Sequence, residues 1–255
     1  MISHTHAFDR YRKLSQAHLD FVVLVCYAVP ALRADLSTSA VGVSHRPDHF
    51  RSANSKEALK RCAAIYQGEL GRSTLIAIFS YFESYVGEAM RELSDFHGGD
   101  ETFETLAQER SETVKVRVTK DMAMRKRKLQ EYAKKGKDLK YRDQSHLLDA
   151  AGFRFPTELF ARYGALKFLE KTKEKRGMRA WEIPDLLEQC FLFPLSEADR
   201  KEFEHARRLR NSIGHGKAPS APLKASLQIA SKLHNLAARI DRYLLEHFFV
   251  LQRFA

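Results

Sequence analysis

Apolar residues recur along this chain at the three-and-four spacing of helices. Phe8, Tyr11, Leu14, Ala17, Phe21, Val22, Val25 and Ala28 trace one such face, which predicts a first helix ending at Pro30. The apolar run Phe21 to Leu32 starts late, follows Asp20, contains Pro30 and lacks a small-x-small cleavage site. It reads as a buried helix end rather than a signal peptide, and it is too short to span a bilayer. Residues 35–53 have no periodicity and read as a loop. Asn54, with Glu57 three residues on, opens a helical pattern reaching about Phe96, with interruptions expected near Gly68 and Gly71. Ile76, Phe79, Phe82, Tyr85 and Val86 form its apolar face, and Glu83 sits inside that stripe, either at its edge or paired with a buried cation.

Beyond His97-Gly98-Gly99-Asp100, the pattern predicts a helix over 104–133 that turns from polar to basic. Lys134 to Asp143 is charged enough to read as an exposed turn or mobile segment. Pro156 opens another helix ending at Gly177, and Ile183, Leu186, Leu187 and Phe191 make a short one stopped by Pro194. Ser196 with Asp199 is a capping box for the next helix. Ala218 to Pro222 forces a turn. The near-heptad stripe of Leu223, Leu227, Ala230, Leu233, Ala237, Ile240, Leu244 and Phe248 predicts a long last helix, packed in a bundle or across a dimer seam. No strand pattern of any length occurs, so the fold class is all-α.

Composition narrows the picture. The three cysteines, Cys26, Cys62 and Cys190, are odd in number and far apart, which fits buried thiols in a reducing compartment and gives no disulfide or zinc framework. The formal net charge of +11 is concentrated. Lys115 to Arg142 holds twelve Lys/Arg against Asp121, Glu131 and Asp138, a local net of +9. Charge runs are usually solvated helix faces, but this much bias in one segment points to a polyanion partner, with Arg125, Lys126, Arg127 and Lys128 at its centre. His97, Asp100 and Glu101 make a poor metal cluster, with no regularly spaced fourth ligand. No P-loop, dinucleotide glycine motif, zincin motif or nucleophile elbow is present, and no cofactor is expected.

The stretch with the most chemistry is Glu204 to Lys217, where a basic helix acquires Asn211, Gly214 and Gly216. The spacing Arg-x-x-x-x-His occurs three times, at Arg200 and His205, Arg210 and His215, and Arg242 and His247. Only the second has Asn after Arg and glycine on both sides of His. Residues five apart on an unbroken helix point roughly 140° apart, so a break between Arg210 and His215 is expected if both are to meet one ligand. A permanently charged guanidinium beside an imidazole that titrates near neutrality suits phosphate chemistry. The plain alternative is a helix C-terminus carrying Arg, Asn and Gly caps.

Arg210-Asn211-Ser212-Ile213-Gly214-His215-Gly216 resembles the HEPN signature, Arg followed by four to six residues and His, with a polar residue after Arg. The chain from about Asn54 to Phe249 is similar to the RiboL-PSP type of HEPN protein in two further places. They are Leu75 to Tyr85 and the Phe193-Pro194-Leu195-Ser196 entry into the Arg-Asn helix. The resemblance implies an HEPN-like helical bundle over 54–255, preceded by a helix and loop over 1–53 and carrying a basic insertion at about 100–155. It also implies a metal-independent endoribonuclease acting as a dimer, associated with toxins or phage defence and held off by a cognate partner. RNA carries its own nucleophile, the 2′-hydroxyl, so His215 would move protons while Arg210 holds the phosphate. The expected products are a 2′,3′-cyclic phosphate and a 5′-hydroxyl. Asn211 would orient, Glu83 would support, and Arg207, Arg208 and Lys217 would bind flanking phosphates. The alternatives from other classes are a non-catalytic module that binds nucleic acid, nucleotide or a partner protein, and an effector defined by its antitoxin. A cytoplasmic location without membrane association is the matching expectation.

Overall fold

A computed structural model describes residues 3–37, 56–96, 98–99, 101, 119–135, 137–151, 178–191, 193–217 and 221–249. Seven α-helices lie within these residues: α1 (His6–Ser37), α2 (Lys56–Phe96), α3 (Lys120–Lys134), α4 (Asp138–Ala150), α5 (Ile183–Phe191), α6 (Glu197–Gly214) and α7 (Leu223–His247). A short 3₁₀ turn, Ala180–Glu182, precedes α5. No strand occurs among the described residues, and none of their helices is long and apolar enough to cross a membrane. The helices expected over 104–118 and 156–177 lie outside them.

The chain divides into two compact units. One comprises residues 1–92, 179–184 and 194–255, the other 93–178 and 185–193. The N-terminal helix therefore shares a unit with the Arg-Asn helix, and the second unit extends beyond the basic stretch on both sides. Within the second unit, α3 and α4 pack through Met122, Leu129 and Leu148.

The first unit is built on α2, a continuous helix of 41 residues. Neither Gly68 nor Gly71 interrupts it, because an interior glycine costs a helix only about 1 kcal/mol. Gly71 is needed for another reason. A Cβ there would fall on the Ala221 carbonyl oxygen and come within 3.0 Å of the Leu223 nitrogen, so the bare backbone lets the entry to α7 rest on α2. Phe79, Phe82, Tyr85, Val86 and Ala89 are fully buried, whereas Ile76 is 39% exposed. The stripe of α7, from Ile229 through Leu233, Leu236 and Ile240 to Leu244, is buried in this bundle. The Tyr85 hydroxyl donates to the Ala237 carbonyl at 3.2 Å.

The first helix departs from the sequence expectation twice. It runs through Pro30 to Ser37, although proline removes one intrahelical bond. Its far half is also not buried: Phe21, Val23, Leu24 and Tyr27 are 52%, 53%, 63% and 78% exposed. Apolarity around the whole circumference of this stretch satisfies a bundle face and leaves a second face uncovered. The near end is fixed more firmly. The Thr5 hydroxyl accepts from Phe8 N and donates to Asp241 Oδ1. The Glu92 carboxylate accepts the His6 and Ala7 amides at 2.9 and 3.0 Å. Two carboxylates thus serve orphan donors at the positive end of α1.

Two smaller expectations also change. The stretch expected to be an exposed turn or mobile segment holds the end of α3 and, from Asp138, the start of α4, with Lys135 in a turn between them. Among the cysteines only Cys190 is buried; Cys26 is half-buried and Cys62 exposed, being too small to draw a helix face inward.

Candidate functional site

The placement of Arg210 begins at the start of α6. Ser196 caps the helix as its Oγ accepts from Asp199 N at 3.1 Å, and the Asp199 carboxylate accepts in return from Ser196 N. Arg239 of α7 donates two bonds to Asp199, at 2.8 and 3.0 Å, and holds its carboxyl below the usual range. The inward face of α6 then meets α2. Phe203 packs on Phe79 and Phe82, with ring centroids 5.5 and 5.9 Å apart. Arg210 lies seven residues beyond Phe203, two turns along the same face, and Glu83 lies four beyond Phe79. Both helices therefore carry their charged partners to one level, where Arg210 Nη2 donates to Glu83 Oε2 at 2.9 Å.

The guanidinium is fixed on three sides. Asn211 Oδ1 accepts from Nη1 at 3.1 Å, and the charge sits 5.5 Å from the centre of the Phe79 ring. Two of five N–H donors are committed by these bonds, and about a third of the side chain remains exposed. Burial pushes the Glu83 carboxyl above its ordinary value, and the neighbouring Arg210 offsets part of that. The result is a pre-oriented cation with donors to spare, which is what recognition of a phosphate requires. Glu83 is thus paired with a cation, one of the two placements its sequence context left open, and Asn211 contacts the same guanidinium. Phe79 had no anticipated role; its signal was an aromatic residue one turn before a buried-stripe glutamate.

His215 is placed differently from expectation. The helix remains regular through Gly214, and the break follows His215 rather than preceding it. Gly216 has φ +69°; its amide donates to Ile213 O at 2.9 Å and the Lys217 amide to Ser212 O at 2.8 Å. This is a Schellman closure, with His215 as its cap residue. Gly214 is an ordinary helical residue, tolerated at the modest cost of an interior glycine. Arg210 and His215 consequently keep much of their helical offset. The imidazole is exposed, and among the described residues no hydrogen bond or ion pair engages it.

The remaining basic residues separate into groups. Arg207 is half-buried and committed to Glu204, with its closest bond at 2.8 Å. Arg208 is 78% exposed, and Lys217 is exposed beside the cap. Arg125 pairs with Asp121 at 2.8 Å, while Lys126, Arg127 and Lys128 are exposed. These last four are consecutive on α3, so at 100° per residue they ring the helix rather than line one face. They belong to the second unit. His97 and Asp100 of the weak metal cluster lie outside the described residues. No group of three or more potential metal ligands occurs among the described ones.

The other two Arg-x-x-x-x-His pairs lie inside α6 and α7. No helix break separates Arg210 from His215 to distinguish this pair from them, since α6 is regular through Gly214 and His215 is its cap. Glu83, Asn211 and Phe79 around the arginine, and the Schellman closure beside the histidine, do distinguish it. The chain matches no family model, no curated protein and no solved structure.

Proposed function

We propose that this chain is an endoribonuclease that cleaves RNA through its own 2′-hydroxyl, without a metal, and acts as a dimer. The observation that carries this reading is the Arg210 guanidinium, held by Glu83, Asn211 and Phe79 with two of its five donors used by these bonds, followed five residues later by a histidine that forms no hydrogen bond or ion pair among the described residues. In-line attack needs a base for the 2′-hydroxyl, an acid for the 5′-oxygen and positive charge for the phosphorane. Arg210 supplies the charge in a fixed orientation. His215 supplies a proton-transfer group. One regular helix turns the two side chains apart, which supports a composite site in which each copy completes the other. Glu83 positions Arg210, and Arg208 and Lys217 are the exposed cations available to flanking phosphates. The exposed cations of α3 would add RNA affinity. An effector role in a toxin–antitoxin or phage-defence setting, restrained by a partner protein, is the biological context that fits such an activity.

The test is RNA cleavage by purified protein in EDTA, with the 2′,3′-cyclic phosphate end scored directly. His215→Ala and Arg210→Ala should each lose on the order of 10²- to 10⁴-fold in rate with unchanged helicity. His205→Ala and His247→Ala should cleave like the wild type. Equal activity of His215→Ala would overturn the reading and leave a binding module.

A further inference from the structure

The exposed face of α1 has an order that bundle packing does not explain. Its buried face runs through Tyr11, Ser15, Val22 and Leu36. Beside it, Leu14, Ala17, Phe21, Leu24, Ala28 and Ala31 alternate at spacings of three and four, and all six are exposed. The large members, Leu14, Phe21 and Leu24, are 38%, 52% and 63% exposed. An apolar repeat of 3.5 residues is the seam of a two-helix coiled coil, and α1 has no second helix on that side among the described residues. Pro30 falls outside the stripe. Continued by one step at each end, the repeat reaches Arg10 and Asp35, both exposed.

We propose that this stripe is a homodimer seam, in which α1 of one copy packs antiparallel against α1 of a second. Antiparallel pairing about a two-fold axis sets Phe21 opposite the second copy's Leu24, Ala17 opposite its Ala28, and Leu14 opposite its Ala31. Apolar residues meet along the whole seam, with Leu14 set against the small Ala31, and the two ends place Arg10 opposite Asp35. A parallel pairing would set Phe21 on Phe21, Arg10 on Arg10 and Asp35 on Asp35, stacking bulk on bulk and like charge on like charge. The seam thus carries its own complement in charge, as an isologous interface must. Arg10 keeps a link within its own copy, to Glu88 at 3.2 Å, so its guanidinium would bridge two carboxylates. This inference does not depend on the nuclease reading, and a dimer formed here leaves α6 free of the seam residues.

Sedimentation of the full chain over a concentration series tests it. The wild type should self-associate to a dimer. Leu24→Glu should weaken association at least tenfold, while its circular dichroism and melting stay those of the wild type because Leu24 is mostly exposed. Orientation is read by oxidative cross-linking in a Cys26→Ser, Cys62→Ser background. Ala17→Cys with Ala28→Cys should give a covalent dimer, and Ala17→Cys alone should give little. A monomer at all concentrations, a dimer indifferent to Leu24→Glu, or efficient cross-linking by Ala17→Cys alone would each overturn the proposal. So would a wild-type monomer that instead co-sediments with phosphatidylcholine–phosphatidylserine vesicles through the stripe.

Discussion

Gly71→Ala should separate packing from helix propensity in a single substitution. On propensity alone, alanine inside α2 gains about 1 kcal/mol over glycine. Gly68, three residues earlier on the same helix, measures that gain, because a Cβ there meets nothing within 4 Å. At Gly71 the new carbon falls on the Ala221 carbonyl oxygen, with Leu223 N at 3.0 Å and Ala221 C at 3.1 Å. Every obstructing atom is backbone, so no rotamer change relieves the overlap. The entry to α7 would have to retreat by on the order of 1 Å, and backbone displacement of this kind costs about 1–3 kcal/mol or more. After the propensity gain the net loss is up to about 2 kcal/mol, or up to roughly 8 °C in melting temperature for a chain this size. Gly68→Ala should be unchanged or up to about 3 °C more stable. Differential scanning calorimetry of the two variants beside wild type is the assay. The displaced segment begins at Ala221, four residues after Lys217, so Gly71→Ala should also reduce RNA cleavage at temperatures where the protein is fully folded. Equal melting temperatures for the two variants would refute the argument that α7 rests on α2 through a missing side chain.

Three further outcomes follow from other parts of the molecule. Gly216→Ala should destabilise by about 1 kcal/mol, because its φ of +69° is left-handed, whereas Gly214→Ala should stabilise by up to about 1 kcal/mol; urea unfolding distinguishes the signs. A double-mutant cycle of Arg210→Ala and Glu83→Gln should give a coupling of about 1 kcal/mol, appropriate to a half-buried pair, and Arg210→Lys should fail to restore cleavage because the ammonium lacks the fork. Burial holds the His18 and His234 imidazoles below their ordinary value, with Arg12 adding to the effect at His234. The unfolded chain therefore binds more protons just below pH 6.5, and their contribution is lost as pH falls through that value. Glu83 and Asp241, raised by burial, act with the opposite sign at lower pH. The diagnostic is thus a wild-type melting temperature that rises from pH 5.5 to 7 more steeply than that of His18→Gln, His234→Gln.

Helix identity was legible in the sequence wherever a face is apolar on one side only. The capping box at Ser196, the stop at Pro194 and the stripe of α7 all have local signals, and each stands where expected. Residues 21–32 misled because apolarity reports a preference for burial without naming the partner that provides it. Glu83 was legible as an anomaly inside an aromatic stripe, but its partner was not, since Arg210 lies 127 residues away and only the Phe79–Phe203 packing aligns them. The position of the helix break was misjudged because two glycines compete for it. Both lie near the end of α6, and only the hydrogen bonds of the closure select Gly216 as the left-handed one.

The clamp on Thr5 joins residues 236 positions apart. At about 5–20 residues per second, a ribosome needs roughly 10–50 s to travel between them. During that interval Phe8 and Tyr11 have no α7 to cover them, and Asp241 does not yet exist to receive the Thr5 hydroxyl. The first turn of α1 is therefore among the last parts to settle, although it is made long before α7. Nascent chains of this protein pass through a long stage with an unclosed aromatic end, and a chaperone that holds aromatic segments should be found on them until α7 emerges.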